Sequence, residues 1–138
     1  MEDLSLHVLD VTENAIMAEA SRIEIYITDD RDEGIQTIEI IDNGTGMNKE
    51  TVKKVLDPFF TTKNKKTGLG IPLFAQAAKE AGGSLEIQSA SGKGTKIKAV
   101  FMLDHIDKKP LGNMAETMRV LKATHPEVEF IYEHIVRP

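Results

Sequence analysis

Hydrophobic residues recur along the chain with two different periods, and the change of period separates helices from strands. From about Leu4 to Ala20, apolar residues return at steps of four and three, which places them on one face of a helix. From Ser21 onward the step becomes two, and isoleucines alternate with polar residues over 23–27 as in a half-buried strand. A second run rich in strand-forming residues, over 37–41, follows a turn at Gly34.

The rest of the chain continues this mixture of helices and strands. The later elements are predicted, in chain order, as a short helix capped by Asn48, a loop over 57–70, a helix over 71–81, strands around 85–87 and 95–103, a connection over 105–113, a helix over 114–123 and a last strand over 128–132. This order predicts strands of mixed direction and several helices, stacked in two layers.

Composition narrows the class of protein. The 138 residues are enough for one domain with a buried core, and 41% hydrophobic and 28% charged residues are typical of a globular protein. The net charge of -5 argues against nucleic acid or an acidic membrane as the partner, because both attract basic surfaces. Cysteine is absent, so no disulfide or thiol chemistry is expected. An acidic start and the lack of an apolar run of about 20 residues predict a cytoplasmic protein.

The first candidate site is a polar pair on the opening helix. Asp10 and Asn14 are four residues apart and therefore lie on one helical face, offset from the apolar stripe. The Asn14 amide suits a hard cation that is also bound to phosphate, and Asp10 suits the orientation or deprotonation of a nucleophile. The alternative is that both are ordinary solvated surface residues.

The second candidate is the segment that follows the strand at 37–41. Asp42 is an ionisable hydrogen-bond acceptor, and Gly44 and Gly46 permit the close approach of a ligand to the backbone. A plain turn is the alternative, because Asn-Gly is a turn signal by itself.

The third candidate extends from Lys63 to Gly70. Gly68 and Gly70 precede a predicted helix, whose first amides favour an anion, and the lysines add positive charge. A solvated loop is the alternative. Neither glycine pair has the spacing of a dinucleotide fingerprint, and no Walker A loop is present, which disfavours the usual phosphate-binding folds.

The order and spacing of these clusters resemble one family. The pattern is Asn14, then Asp42-x-Gly44-x-Gly46, then Asp57-Pro58-Phe59-Phe60-Thr61-Thr62-Lys63, then Thr67-Gly68-Leu69-Gly70, then Gly92-x-Gly94-Thr95. It resembles the GHKL-type ATPase domain that is shared by sensor histidine kinases, DNA gyrase, a class of heat-shock chaperones and MutL-type mismatch-repair proteins. The likeness runs over about 6–103, and its central boxes are most similar to the histidine kinases.

The resemblance implies an α+β fold, a two-layer sandwich with a mixed, mostly antiparallel sheet covered by helices on one face. It implies ATP and magnesium as cofactors, with Asn14 as the metal ligand, Asp42 on the adenine amine and Thr95 near the same base. The further nucleotide contacts that we expect are Ala18, Gly44, Gly46, Met47, Phe60, Lys63, Lys66, Thr67, Gly68, Leu69, Gly70 and Ile71.

The chain departs from the family in several places. Asp10 stands where gyrase-like ATPases carry a longer glutamate, and Met17 stands where many histidine kinases carry a basic residue. None of the four histidines fits a phosphoacceptor, because none is followed by an acidic residue, and we expect all four to be structural or exposed. We divide the chain into an ATP-binding domain over 1–104 and a C-terminal extension over 105–138 that packs on it. The strands that precede the first helix in the kinases have no counterpart here, and we hypothesise that the strand at 128–132 returns to that sheet edge.

Two functions follow from the resemblance. In the first, the domain transfers the γ-phosphate of ATP to a partner protein that supplies the acceptor, with Asp10 as the catalytic residue. In the second, the domain is a regulatory binding module in which ATP orders the lid over 57–70 and the ordered lid controls the docking of a partner. Slow ATP hydrolysis that drives a dimer clamp is a third possibility, which we favour least because the sequence has no transducer domain.

Overall fold

The computed structural model describes residues 3–56 and 70–138. In chain order, the elements are α1 (Leu4–Met17), β1 (Arg22–Asp30), β2 (Ile35–Asp42), α2 (Lys49–Val55), α3 (Gly70–Glu80), β3 (Ser84–Ser89), β4 (Thr95–Met102), α4 (Met114–Thr124) and β5 (Glu129–Arg137). The predicted helix and strand types are therefore confirmed, although several bounds differ.

The five strands form one mixed sheet in the order β3-β4-β2-β1-β5. Neighbouring strands are antiparallel except for β1 and β5, which run parallel. Alternate residues on one face of the central strands are buried, and they are Ile23, Ile25, Ile27, Ile38, Ile40, Ile97, Ala99 and Phe101. Helices cover this face, so the predicted α+β sandwich is confirmed.

The helices pack their apolar stripes onto this face. Helix α1 buries Leu4, Val8 and Val11, as its sequence period predicts. Helix α3 places Phe74 in the centre of the core, with its ring 5.9 Å from that of Phe101 and 6.1 Å from that of His7. The core is continuous from α1 and α3 to α4.

The predicted end of the first helix at Ala20 is wrong by three residues. The helix ends at Met17, and Glu19 adopts a left-handed conformation with φ 67°. The Ala20 N–H then donates to the Ala15 carbonyl at 3.1 Å, which closes the helix end in the manner of a Schellman turn. Because glycine usually occupies this left-handed position, the sequence carries no visible stop signal.

The segment after residue 103 joins the family-like part closely. The backbone N–H groups of Leu4 and Ser5 donate to the carbonyls of Pro110 and Leu111 at 2.9 and 2.8 Å, so the connection satisfies the first turn of α1. The predicted stripe on α4 is buried, and its members are Met114, Met118 and Leu121.

Strand β5 pairs with β1 at the sheet edge, as expected for the last strand. That this edge takes the place of the kinase strands before the first helix stays a prediction. Strand β5 runs on to Arg137, five residues beyond the predicted end. The division of the chain at 104 and 105 stays a prediction. Within 3–56 and 70–138, every helix is too short or too polar to cross a lipid bilayer.

Candidate functional site

Three segments meet at the end of the sheet where β2 finishes and β4 begins. They are the last turn of α1, the turn from β2 to α2 and the turn from β3 to β4. The strand register places Asp42 directly beside Thr95, and Ala18, at the end of α1, accepts a hydrogen bond from the Thr45 N–H of the turn after β2. The motif around Asp42 and the motif that ends at Thr95 are therefore adjacent in space. Both lie next to the helix that carries Asn14.

Asp42 is a half-buried carboxylate at the centre of this arrangement. Its Oδ1 accepts a hydrogen bond of 2.8 Å from the Gly44 N–H. Burial raises the pKa of Asp42 above its ordinary value, and the backbone amides of Gly44 and Thr95 lower it by a smaller amount. The result is a carboxylate that is partly withdrawn from water and held in one orientation, as a specific hydrogen-bond acceptor requires.

The glycines of this turn allow backbone segments to touch. A Cβ at Gly44 would lie 2.7 Å from the carbonyl oxygen of Ala18, which accepts a hydrogen bond of 2.9 Å from the Thr45 N–H. Gly46 has φ +73°, and a Cβ there would lie 2.1 Å from the Ala90 carbonyl oxygen. Both glycines are therefore required by contacts within the protein, and their contact with a base stays a prediction.

Ser89, which is not among the predicted site residues, connects two of the three segments. Its Oγ accepts from the Met47 N–H at 2.8 Å, donates to the Gly94 carbonyl at 2.9 Å and lies 2.8 Å from the Thr95 hydroxyl. Met47 and Thr95, two predicted contacts of the base, are thereby positioned by one side chain. No motif marks a serine at the end of a strand, so this role has no signal in the sequence.

Asn43 belongs to the predicted turn after β2, and its side chain also joins that turn to β1. Its Oδ1 accepts from the backbone N–H groups of Ser21 and Arg22 at 2.9 and 3.0 Å, and its Nδ2 donates to the Ser21 hydroxyl at 2.9 Å. These three bonds fix Asn43, and thereby the start of the turn next to Asp42.

Asn14 and Asp10 lie one turn apart on α1, with Asn14 half-buried and Asp10 exposed. Among residues 3–56 and 70–138, none hydrogen-bonds the Asn14 side-chain amide, so its oxygen is available to a hard cation, and the residue fits the magnesium that the family implies. The first residue of α3, Gly70, packs on Asp10: a Cβ at Gly70 would lie 3.1 Å from the Asp10 Cβ. The start of α3, with Ile71 buried as its second residue, therefore adjoins the polar face of α1.

Six predicted contacts fall outside the described residues. They are Phe60, Lys63, Lys66, Thr67, Gly68 and Leu69. Of the other predicted site residues, the structure groups Ala18, Asp42, Gly44, Gly46, Met47 and Thr95 around the turn after β2. Asp10 and Gly70 pack together where α1 meets α3, with Asn14 one turn further along α1 and Ile71 next to Gly70.

Comparison with known proteins agrees with this geometry. Residues 2–105 match the family described as histidine kinase-, DNA gyrase B-, and HSP90-like ATPase. Sporulation kinase C of Bacillus subtilis (strain 168) is 34% identical over 95 residues, which cover 69% of this chain and 22% of that protein. The signal transduction histidine-protein kinase AtoS of Escherichia coli (strain K12) is 34% identical over 106 residues, which cover 76% of this chain and 17% of that protein. The chain thus spans a minor part of these relatives.

Two solved structures share the fold. The Aquifex aeolicus MutL ATPase domain complexed with ADP has a TM-score of 0.58 and 20% identity, over 97% of this chain and 60% of that one. The N-terminal domain of a DNA repair protein has a TM-score of 0.61 and 16% identity, over 99% of this chain and 50% of that one. At these identities the likeness concerns the fold alone.

Proposed function

The chain belongs to the family of histidine kinase-, DNA gyrase B- and HSP90-like ATPases, and from that premise we propose that it binds ATP with magnesium and transfers the γ-phosphate to a partner protein. The partner supplies the acceptor residue, and the proposed compartment is the cytoplasm. The observation that carries the proposal is the half-buried Asp42 carboxylate, held beside Thr95 and below the end of the helix that bears Asn14.

The adenine end of the site is proposed at the turn after β2. The ionised Asp42 carboxylate accepts a hydrogen bond from the exocyclic amine of the base. Ala18 accepts a hydrogen bond from the turn after β2, Met47 lies within that turn, and Thr95 pairs with Asp42; these three residues are the proposed walls of the base pocket. The bonds of Ser89 keep two of these walls in place before the nucleotide arrives, which limits the entropy lost on binding.

The phosphate end is proposed at the meeting of α1 and α3. Asn14 is the ligand for magnesium, which neutralises phosphate charge when it is bound. The first amides of α3 that the structure describes, at Gly70 and Ile71, lie in its first turn and suit an anion. The further contacts from Phe60, Lys63, Lys66, Thr67, Gly68 and Leu69 remain part of the proposal.

Asp10 is the proposed catalytic residue. It is exposed, so an incoming hydroxyl or imidazole can reach it, and it adjoins the start of α3. The bond between the γ-phosphorus and the bridging oxygen breaks, ADP leaves, and the acceptor atom bonds to phosphorus. The proton of the acceptor passes to the Asp10 carboxylate.

A second function, in which nucleotide binding regulates the docking of a partner without transfer, is favoured by one observation. Met17, three residues after Asn14, is 68% exposed and apolar at a place where a phosphate contact would need charge. A site with fewer phosphate contacts suits nucleotide sensing better than catalysis.

Labelled ATP separates the two functions. The chain is incubated with ATP labelled at the γ-phosphate and with the proteins that co-purify with it, and label on one of those proteins supports transfer. Asp10→Asn is expected to reduce transfer by about 100-fold or more while nucleotide affinity is retained. The matched control is Asp32→Asn, at an exposed aspartate in the turn after β1. Equal transfer by wild type and Asp10→Asn would remove the catalytic role of Asp10.

Nucleotide binding is tested separately by calorimetry with magnesium and a non-hydrolysable ATP analogue. Asp42→Ala is expected to weaken binding by about 10-fold or more, because a desolvated acceptor opposite the base is lost. No heat with the wild-type chain at saturating analogue would overturn both functions.

A further inference from the structure

The outer edge of β5 is an unpaired sheet edge within the described residues. Glu129 donates its N–H to the Ser21 carbonyl at 2.9 Å, and the Arg137 carbonyl accepts from the Arg31 N–H at 3.1 Å. Both ends of β5 therefore direct the backbone groups of their odd-numbered residues toward β1. Because these groups alternate between the two sides of a strand, the even-numbered residues present theirs on the outer side. Those residues are Phe130, Tyr132, His134 and Val136.

This edge is long and carries no bulge, lysine or proline. The pairing of β5 with β1 runs without a bulge from the pair Arg22–Glu129 to the pair Asp30–Arg137. The strand sequence holds no lysine and no proline, which often block edge-to-edge pairing. Ile135 and Val136 are 42% and 51% exposed. The edge also lies beyond residues 2–105, so it belongs to the part of the chain outside the family match.

The sequence of β5 is complementary to itself when one copy is reversed. If two copies run antiparallel with Glu133 at the centre, Glu129 of each copy lies opposite Arg137 of the other. The apolar residues then oppose apolar residues, and the tyrosine ring opposes an imidazole. These further pairs are Phe130 with Val136, Ile131 with Ile135 and Tyr132 with His134.

Other registers match less well. A shift of the pairing by two residues in either direction places Glu133 opposite Ile131 or Ile135 and separates Glu129 from Arg137. A shift by one residue pairs the outward backbone groups of one copy with the inward groups of the other, which breaks the ladder. A shift by four residues, to an axis at Ile135, pairs Glu133 with Arg137 but leaves only the pairs of His134 with Val136 to exchange backbone hydrogen bonds, about four instead of eight. The register centred on Glu133 is therefore the one that combines opposite charges and apolar pairs with the longest backbone ladder.

We propose that two copies of this chain pair through β5, antiparallel and about a two-fold axis at Glu133, to form one continuous sheet. In this register, four pairs of outward residues exchange about eight backbone hydrogen bonds. One unfavourable contact remains, because Glu133 faces its own copy across the axis. A contact of two strands buries less surface than a standard stable interface, so the dimer is expected to dissociate readily on dilution.

The charged ends of β5 allow a test of partner, direction and register together. Sedimentation velocity over a wide concentration range measures the dimer dissociation constant of the full chain. Glu129→Arg and Arg137→Glu each place like charges opposite each other twice, and each is expected to raise that constant about 10-fold. In an equimolar mixture of the two variants, both pairs become attractive again, and association is expected to return to the wild-type level.

Glu129→Arg also removes a contact within its own chain. Glu129 lies 3.8 Å from Arg22 in its own chain, although both side chains are about half-exposed or more, so the loss of this ion pair costs little stability. Recovery in the mixture also excludes misfolding as the cause of the weakened association. A chain that stays monomeric at the highest concentration, or a mixture that does not recover, overturns the proposal.

Glu133→Gln tests the two-fold axis with a change that is expected to strengthen the dimer. It removes the one like-charge contact and is expected to tighten the dimer several-fold, whereas Glu86→Gln, at an exposed residue on the opposite edge strand, leaves it unchanged. The same result for both variants contradicts the axis. Pairing through β5 requires no nucleotide, so its failure and the failure of ATP binding are separate outcomes.

Discussion

Two physical effects act in opposite directions on the pKa of the Asp42 carboxylate. Partial burial disfavours the charged form and raises the pKa of Asp42, whereas the amides of Gly44 and Thr95 stabilise the charged form. Burial has the larger effect. Burial deprives the ionised carboxylate of part of its hydration. A hydrogen bond from a ligand stabilises the ionised form, because the donor replaces some of the lost water.

This balance predicts a pH dependence for nucleotide binding. The ionised carboxylate accepts from the base and the protonated one does not, so affinity falls as the pH is lowered through the raised pKa of Asp42. The fall begins at a higher pH than for an aspartate with the ordinary pKa of 3.8. Calorimetry of wild type and Asp42→Asn across this range measures it, and the difference between the two proteins cancels the titration of the ligand. Identical pH profiles would contradict the role of Asp42.

The same pKa shift makes the stability of the protein change with pH in the direction opposite to its affinity for nucleotide. Because the folded state holds the proton more tightly than the unfolded state, the free energy of unfolding contributed by Asp42 decreases as the pH rises from 3.8 through the raised pKa. Relative to Asp42→Asn, wild type is therefore expected to lose stability with rising pH while it gains affinity. Urea unfolding at each pH measures this second trend, and a rise in relative stability would contradict the burial argument.

Gly46 provides a prediction that separates backbone strain from steric conflict. Gly46→Ala combines an unfavourable positive φ with a Cβ placed 2.1 Å from the Ala90 carbonyl, whereas Gly34→Ala has a similar φ of +69° and no atom within 4 Å. We expect Gly34→Ala to cost about 1–2 kcal/mol and Gly46→Ala to cost about 3 kcal/mol or more. Equal losses in urea unfolding would show that the turn shifts to accept the methyl group.

At the scale of elements, the site depends on the contact between the β2–α2 turn and the end of β3. Ser89→Ala removes all three hydrogen bonds of the Ser89 hydroxyl and leaves the half-buried Met47 N–H without its partner. We expect a loss of about 1–3 kcal/mol in stability, together with weaker nucleotide binding. Ser84→Ala, at the exposed other end of the same strand, is the matched control and should change neither quantity. Unchanged affinity in Ser89→Ala would limit this residue to a structural role.

The elements themselves were largely predictable, because burial of one face imposes a period on the sequence. The alternation of Ile23, Ile25 and Ile27 located β1, and the stripe on α4 identified its buried side. The end of α1 was not predictable, since Glu19 adopts a conformation that glycine usually marks. Strand β5 was predicted too short, because its second half is exposed and carries no period of burial.

The site residues that belong to motifs of fixed spacing were predictable from the sequence. The contacts between side chains that are distant in sequence were not. Asp42 and Thr95 were found from the order of motifs, and the structure places them side by side. The bonds that Ser89 and Asn43 make to distant segments have no signature in a single sequence. The contacts predicted for residues 57–69 stay predictions.

At the scale of the whole molecule, residues of the C-terminal extension and of the nucleotide-binding part share one hydrophobic core. Leu121 on α4 is fully buried in the same cluster as Val8, Val11 and Ile25. The His125 ring lies 2.9 Å from the carboxylate of Glu13, the neighbour of Asn14, and adds a polar contact between the two parts. A shared core favours a single cooperative transition on unfolding.

Leu121→Ala tests this cooperativity. The cavity is expected to cost about 2–5 kcal/mol, whereas the exposed neighbour Lys122→Ala should change stability by less than about 0.5 kcal/mol. If the core is shared, hydrogen exchange of the amides in β2 and β4 accelerates by the factor that this loss of stability implies, because these strands open only when the whole molecule unfolds. Protection that is lost in α4 and β5 but retained in β2 and β4 would show that the extension unfolds independently of the nucleotide-binding part.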